Sequence, residues 1–134
     1  MIKVLISKQG NFPVKSAIIK KKLAGFLASR GIVSDAEVSV AIVGEKKMLE
    51  IGEKYLGESS KPGRRNIHNV LSFTASEVGN DFRYPPDGKI YLGEIVVCFP
   101  VALQEASREN VLIDDKVYKL IEHGALHLLG IHHE

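Results

Sequence analysis

The sequence predicts an α+β fold in one domain, residues 1–134, around a small mixed sheet. Segments with strand alternation and segments with helical periodicity follow one another without the strict alternation of a parallel α/β fold. The length of 134 residues suits a single core. A composition of 45% hydrophobic and 25% charged residues is ordinary for a globular domain. We therefore expect about four strands packed with about four to five helices.

The first half of the chain predicts two strands and two helices. Residues 2–7 are apolar enough for a strand and too few for a signal peptide. Apolar spacing predicts a helix over 14–30, stopped by Gly31. Residues 36–44 alternate like a strand, and 45–57 are predicted as a helix that ends at a glycine. The first helix has these residues at core spacing: Ile18, Ile19, Leu23, Phe26 and Leu27.

The second half predicts two further strands and two further helices. Residues 58–66 have the Ser, Pro and Gly content of a loop, and residues 79–89 turn the chain. The predicted strands are 68–75 and 90–100. One predicted helix spans about 101–109. A last one begins near Asp114 or Asp115, which are good N-cap residues, and runs to about Leu129.

Composition also limits the compartment and the partners. Cys98 is the single cysteine, so the chain has no internal disulfide, and its apolar strand predicts a buried thiol. No apolar run approaches the roughly 18 residues that a membrane-spanning helix needs. We expect a cytoplasmic protein with no membrane partner.

Positive charge is concentrated in the first half of the chain. Residues 1–67 hold thirteen Lys and Arg against six Asp and Glu, a net +7, whereas residues 68–134 hold five against ten, a net −5. The densest cluster is Lys20, Lys21 and Lys22, on the predicted exposed side of the first helix. Such a surface can attract RNA. Charge that merely solvates the surface is the alternative, and charge alone favours it.

The histidines are concentrated in the segment "EHGALHLLGIHHE" (122–134). His123 and His127 are four residues apart, so on a helix they share one face. Gly130 is placed to end that helix in a left-handed turn, which would bring His132 or His133 back towards the first pair. Three imidazoles around one point suit zinc, with a fourth position open to water.

Two interpretations of these histidines differ in the chemistry they imply. A cluster of structural histidines is possible, but the spacing H-x-x-x-H-x-x-G-x-x-H is the metzincin ligand frame and favours a metal. The apolar residues around the histidines also predict a helix buried on most sides, where imidazoles need partners. Gly124 occupies the position of the metzincin general base, which makes a peptidase the weaker hypothesis.

Three segments carry a specific family resemblance. "HGALHLLGIHH" (123–133) closely matches H-G-x-L-H-L-x-G-Y-D-H, "VLSF" (70–73) matches the end of T-D-V-L-S-F, and "LGEIVVC" (92–98) is similar to L-G-D-I-V-I. These patterns are typical of the YbeY family of bacterial rRNA-maturation endoribonucleases. The order and spacing of the elements also agree, so the chain resembles that family over essentially its whole length.

The resemblance implies a zincin-like domain and a zinc-dependent endoribonuclease, with one metal ion per chain. It also implies single-stranded RNA as the substrate, maturation of the small-subunit rRNA 3′ end, ribosome quality control and the small ribosomal subunit as a partner. The signature and the metzincin frame both place the third ligand six residues after His127. The implied ligands are therefore His123, His127 and His133, and His132 stands where the family has Asp.

The chain departs from the family pattern near the expected catalytic arginine. Leu56 follows Tyr55 where the family has Tyr-Arg, and His68-Asn69 replaces Thr-Asp before "VLSF". Cleavage of a phosphodiester needs positive charge for the developing anion. Arg64 and Arg65 are the candidate catalytic cations, and Lys20, Lys21 and Lys22 are the candidate RNA-binding residues. The alternative is a non-catalytic ribosome-assembly or RNA-binding factor that keeps a structural zinc.

Overall fold

The computed structural model of the chain describes residues 1–57, 67–78 and 90–130. The four strands are β1 Ile2–Lys8, β2 Ala36–Val43, β3 Val70–Thr74 and β4 Ile90–Cys98. The five helices are α1 Ser16–Ser29, α2 Glu45–Leu56, α3 Ala75–Val78, α4 Phe99–Glu109 and α5 Ile113–Leu128. None of the helices in these three ranges is both long and apolar enough to cross a membrane.

The strands form one mixed sheet in the order β1-β2-β4-β3. β1 pairs with β2 in parallel, and β2 pairs with β4 in parallel. β3 runs antiparallel to β4, with Val70 opposite Val97 and Thr74 opposite Gly93. The prediction of an α+β fold with a small mixed sheet is therefore confirmed.

Helices cover both faces of the sheet. On one face, α1, α4 and α5 bury the larger cluster, which includes Leu23, Val40, Ile95, Val117 and Ile121. On the other face, α2 buries the smaller cluster, which comprises Ala41, Val43, Met48, Phe73, Val96 and Cys98. The strand thiol predicted to be buried is buried and free, and burial raises its pKa. β2 and β4 end in consecutive buried residues because both of their faces are covered.

Gly93 permits the close contact between β4 and its neighbours. Tyr91 pairs with Glu37 and Gly93 with Val38, so one residue of β4 bulges out of register. The φ angle of Gly93 is +143°, and a Cβ there would lie 2.1 Å from the carbonyl oxygen of Phe73 and 2.8 Å from Cδ2 of Leu128. Glycine is therefore required at this position both for its backbone and for the space.

Several predicted boundaries are wrong, for local reasons. α5 begins at Ile113 with Leu112 as its N-cap, and Asp114 and Asp115 lie in the first turn, where acidic residues favour the helix dipole. α4 begins at Phe99, two residues earlier than predicted, because a proline is tolerated in the first turn of a helix. The short helix α3 was not predicted, and it ends the third strand at Thr74.

The predicted core face of α1 is correct for most of its residues. Ile19, Leu23 and Leu27 are buried at four-residue spacing. Ile18 was predicted in the core, but it is 48% exposed. It lies about 100° around the helix from Ile19, which turns it away from the sheet. The helix begins at Ser16 rather than at residue 14, and it ends just before the predicted stop, where Gly31 has a φ of +99°.

Candidate metal centre and adjoining cleft

Helix α5 places two of the candidate ligands on one face. His123 and His127 are one turn apart, and the opposite side of the helix buries Val117, Ile121 and Ala125. His123 is exposed, and the His127 side chain is 38% exposed. The structure agrees with the prediction that this helix is buried on most sides, since Asp115, Lys119 and His123 are the exposed residues of α5 and form one stripe. The histidine face opens beside β3, the last strand of the described sheet, and no further strand among the described residues covers it.

The histidines line a cleft of about 480 Å³ between α5 and β3. Its strand wall consists of Asn69, Val70, Leu71 and Ser72. Its helix wall consists of Lys116, Lys119, Leu120, His123, Gly124 and His127. The cleft therefore combines imidazoles, two lysines and an apolar floor, which is the composition of a site for a partly charged ligand.

Gly124 allows α5 to lie close to the sheet beneath the histidines. A Cβ at this position would lie 2.8 Å from Cγ2 of Ile95 and 3.4 Å from Cβ of Ser72. A longer side chain has no room there, so the glutamate of the metzincin frame is excluded by packing. This chain therefore has, in place of the metzincin glutamate, a glycine that lets α5 lie close to the sheet.

Gly130 ends the histidine helix as the spacing predicted. Its φ angle is +80°, and its N–H donates to the carbonyl oxygen of His127 at 3.0 Å. The third candidate ligand, His133, and its neighbour His132 lie outside the described residues. Within residues 1–57, 67–78 and 90–130, no three His, Cys, Asp or Glu side chains are grouped to hold a metal. Two imidazoles on an open face, followed by a left-handed turn, fit the first two ligands of a zinc site.

Glu77 is a residue of the site that sequence reasoning missed. Its Oε1 lies 3.5 Å from Nε2 of His127. The same oxygen accepts hydrogen bonds from the backbone N–H of Thr74 at 2.8 Å and from the Thr74 hydroxyl at 3.0 Å. The backbone hydrogen bond from Thr74 is the main reason that the pKa of Glu77 is lowered. A carboxylate that remains charged therefore stands beside His127.

The sequence did contain a signal for Glu77. Thr74 and Glu77 are three residues apart, in the pattern T-x-x-E that begins helices. The structure has the backbone half of this capping box, since the glutamate accepts from the N–H of Thr74. A helix of four residues gives too few turns for a periodic pattern, so only the cap could have revealed it.

An ion-pair network forms the far end of the cleft. Lys116 Nζ donates to Glu109 at 3.0 Å and lies 3.3 Å from Oε1 of Glu105, and its side chain is only 11% exposed. The amide of Asn69 donates to Glu105 at 3.0 Å. Burial raises the pKa of Glu105, but the hydrogen bonds from Asn69 and Lys116 outweigh it and leave that pKa lowered. The charge of Lys116 is thus already compensated within the protein.

Comparison with known proteins identifies the family. The sequence matches the family described as Endoribonuclease YbeY over residues 7–134. The chain belongs to the YbeY family. One relative named Endoribonuclease YbeY is the protein from Acinetobacter baumannii, which is 33% identical. The aligned region covers 99% of this chain and 82% of that relative. The Endoribonuclease YbeY of Dehalococcoides mccartyi is 28% identical, and the aligned region covers 99% of this chain and 78% of that relative.

A further YbeY relative matches over a shorter stretch, and a solved structure supports the fold. The relative from Syntrophus aciditrophicus is 37% identical over 75% of this chain and 56% of its own length. The solution structure of TM1509 from Thermotoga maritima matches with a TM-score of 0.54 at 23% identity, over all of this chain and 75% of the other. This likeness supports the predicted α+β fold. Membership in a family of endoribonucleases confirms the expectation of an enzyme.

One departure from the YbeY pattern has a structural explanation. Asn69 stands where the family sequence pattern has Asp, and its amide N–H group points at the carboxylate of Glu105. An aspartate there would set two carboxylates against each other. Leu56, in the place of the family arginine, is 46% exposed at the end of α2. The candidate replacements Arg64 and Arg65 lie outside the described residues.

The three lysines predicted to bind RNA do not form one surface. Lys20, Lys21 and Lys22 are all exposed, but successive helix residues point about 100° apart. Lys20 lines a cavity beside β1, while Nζ of Lys22 lies 5.3 Å from the ring centroid of Tyr118 on α5. Burial raises the pKa of Tyr118 to about 12, and its hydroxyl donates to the carbonyl oxygen of Lys22 at 3.2 Å. Only Lys22 is thereby fixed to the helix that carries the histidines.

Proposed function

We propose that this chain is a zinc-dependent endoribonuclease that cleaves single-stranded RNA in the α5–β3 cleft. The observation that carries the proposal is the pair His123 and His127, one turn apart on the open face of α5 and followed by the left-handed Gly130. Family membership supplies the class of reaction. Maturation of the small-subunit rRNA 3′ end, quality control of ribosomes and contact with the small subunit belong to this proposal. A ribosomal substrate places the activity in the cytoplasm.

The zinc ligands in this proposal are His123, His127 and His133. In this proposal the six-residue interval from His127 selects His133. His132 should then point away, because neighbouring side chains in an extended segment point to opposite sides. Bound zinc would polarise a phosphoryl oxygen and lower the pKa of its water. Gly124 lets the histidine helix lie close to β3, and the Glu77 carboxylate lies 3.5 Å from Nε2 of His127.

Cations of the chain have two roles in the proposal. Arg64 and Arg65 would stabilise the charge that develops on the scissile phosphate, through charge-assisted hydrogen bonds. Lys20, Lys21 and Lys22 would attract the RNA backbone over a longer distance, since electrostatic attraction to a polyanion does not require contact with the reacting group. Lys22 lies against α5 and is the nearest of the three to the histidine helix by its contacts.

The decisive experiment measures zinc content and RNA cleavage on the same preparation. We expect one zinc per chain and RNA fragments that disappear with EDTA. His127→Ala and His133→Ala should lose most of the zinc, whereas His132→Ala, the matched neighbour, should lose considerably less. Wild-type protein without metal would contradict the proposal. Zinc without EDTA-sensitive fragments would favour the non-catalytic assembly factor, which the absence of an arginine at residue 56 also supports.

Separate variants test the cations. Arg64→Ala and Arg65→Ala should reduce cleavage strongly with zinc content unchanged, because they act on the transition state and not on the metal. Replacing Lys20, Lys21 and Lys22 together with Gln should weaken RNA binding and flatten its salt dependence. An unchanged salt slope in the triple variant would place the RNA elsewhere on the surface.

A further inference from the structure

Lys119 lies on the same face of α5 as the two candidate zinc ligands. Residues 119, 123 and 127 follow at intervals of four, so their side chains are stacked along one side of the helix. All three line the α5–β3 cleft. Lys119 is exposed, one turn before His123, which corresponds to a rise of about 6 Å along the helix axis.

The charge of Lys119 is available to a ligand, in contrast to that of Lys116. Lys116 lines the same cleft, but Glu105 and Glu109 compensate its ammonium group. Lys119 forms no ion pair with any residue in the ranges 1–57, 67–78 and 90–130. An exposed ammonium group at the mouth of a cleft attracts anions, and its flexible stem can follow a phosphate over several ångströms.

We propose that Lys119 binds the phosphodiester group that is adjacent, along the same RNA strand, to the phosphodiester that is cleaved. This inference rests on the proposed function, because the histidines must hold the scissile phosphate for Lys119 to meet its neighbour. The strand wall opposite the lysine contributes partly buried residues, Val70 to Ser72, and no acidic side chain. Lys119 therefore sets the direction in which the RNA leaves the metal centre along α5, towards the Lys116 end of the cleft.

The position of Lys119 makes it a closer partner for the substrate than the lysines of α1. Lys22 is held above the ring of Tyr118, on a different side of α5 from the histidines, and Lys20 faces the cavity beside β1. Lys119 instead shares the cleft with His123 and His127. Its loss should therefore affect contact with bound RNA, whereas the α1 lysines act by general attraction.

The test compares Lys119→Gln, Lys119→Arg and the control Lys46→Gln in the zinc-loaded protein. Lys46 is exposed on α2, which packs against the other face of the sheet. The Kd for a fluorescent single-stranded oligoribonucleotide is measured by anisotropy over a range of salt concentrations. Lys119→Gln should raise Kd about fivefold and reduce the salt slope by about 0.7, the value for one contact to a single strand. Lys119→Arg should retain wild-type binding, and Lys46→Gln should change nothing.

The outcomes separate this inference from the proposed function. Zinc content must be equal in all four proteins, since Lys119 is not a ligand. If the wild type binds and cleaves RNA while Lys119→Gln keeps the wild-type Kd and slope, the inference is overturned and the proposed function stands. If the wild type neither binds nor cleaves single-stranded RNA, the proposed function is overturned, and the inference with it. An equal effect of Lys46→Gln would also overturn it, because net charge would then explain the change.

Discussion

Replacing Gly124 with alanine tests whether this residue sets the distance between α5 and the sheet. The added Cβ would lie 2.8 Å and 3.3 Å from the two γ-carbons of Ile95, and 3.4 Å from Cβ of Ser72. Ile95 is fully buried, so its side chain can yield only by displacing other core residues. We therefore expect Gly124→Ala to destabilise the protein, although alanine is the better helix former.

The magnitude follows from two opposing contributions. Overpacking a well-filled core costs about 1–3 kcal/mol. Exchange of glycine for alanine inside a helix stabilises by about 0.8–1 kcal/mol. The net destabilisation is therefore about 0–2 kcal/mol. For a chain of 134 residues, each 1 kcal/mol corresponds to a change in Tm of about 3–4 °C.

A matched glycine isolates the packing contribution. Gly25 lies inside α1, and a Cβ there would have nothing within 4 Å. Gly25→Ala should stabilise by about 0.4–1 kcal/mol, because it removes the flexibility of glycine without adding a clash. Urea unfolding in the presence of EDTA gives both values without a contribution from metal binding. The two variants should differ by about 1–3 kcal/mol, which is the cost of overpacking alone.

Equal stabilisation by Gly124→Ala and Gly25→Ala would refute a packing role for Gly124. That result would mean that α5 can move away from Ile95 without loss. Gly124 would then not define the cleft, and the exclusion of a metzincin-like glutamate by packing would have to be abandoned.

Three further substitutions should change stability in defined directions. Gly93→Ala should cost about 3 kcal/mol or more in urea unfolding, because the added carbon meets the Phe73 carbonyl and strains the backbone. Glu105→Gln should cost about 1–2 kcal/mol at pH 7, since the nearly buried Lys116 loses a charged partner. Because the pKa of Glu105 is lowered in the fold, its contribution is complete above the ordinary value of 4.5 and is lost as the pH falls through the lowered pKa. The variant should therefore lose less stability than the wild type in acid, and parallel curves would contradict the assigned pairing. Asn69→Asp should destabilise by about 1 kcal/mol at neutral pH and less in acid, where one of the two carboxyl groups becomes protonated.

Local patterns predicted much of the fold because they act within a few residues. The four strands and the four longer helices follow from apolar periodicity, and the ends of α2 and α5 coincide with glycines that adopt positive φ angles. The helix starts were less predictable. The N-cap of α5 is Leu112, an apolar residue that makes no side-chain capping hydrogen bond, so no capping residue marks this helix start in the sequence.

The site was predictable only where its residues share one helix. The interval between His123 and His127 placed both imidazoles on one face, and the same interval would have identified Lys119. The histidine face of α5 is open because β3 is the last strand of the described sheet. Strand order is a property of the tertiary structure and leaves no local pattern in the sequence. The contact between Glu77 and His127 joins two helices that are 50 positions apart in sequence, so periodicity cannot reveal it.

The parallel pairing of β2 with β4 has a consequence for the rate of folding. Ala36 pairs with Ile90, so this pair closes a loop of more than fifty residues. The entropy cost of closing this loop comes before the stabilising contacts between the strands can form. Non-local parallel pairing is therefore slow compared with the formation of α1 or α5. The histidine helix rests on Ile95 of β4 and on β3, which pairs with β4 as well. The two imidazoles of α5 would therefore be exposed before β3 and β4 have formed the opposite wall of the cleft. At low zinc, the refolding rate should not depend on the metal concentration, because docking of β4 limits it.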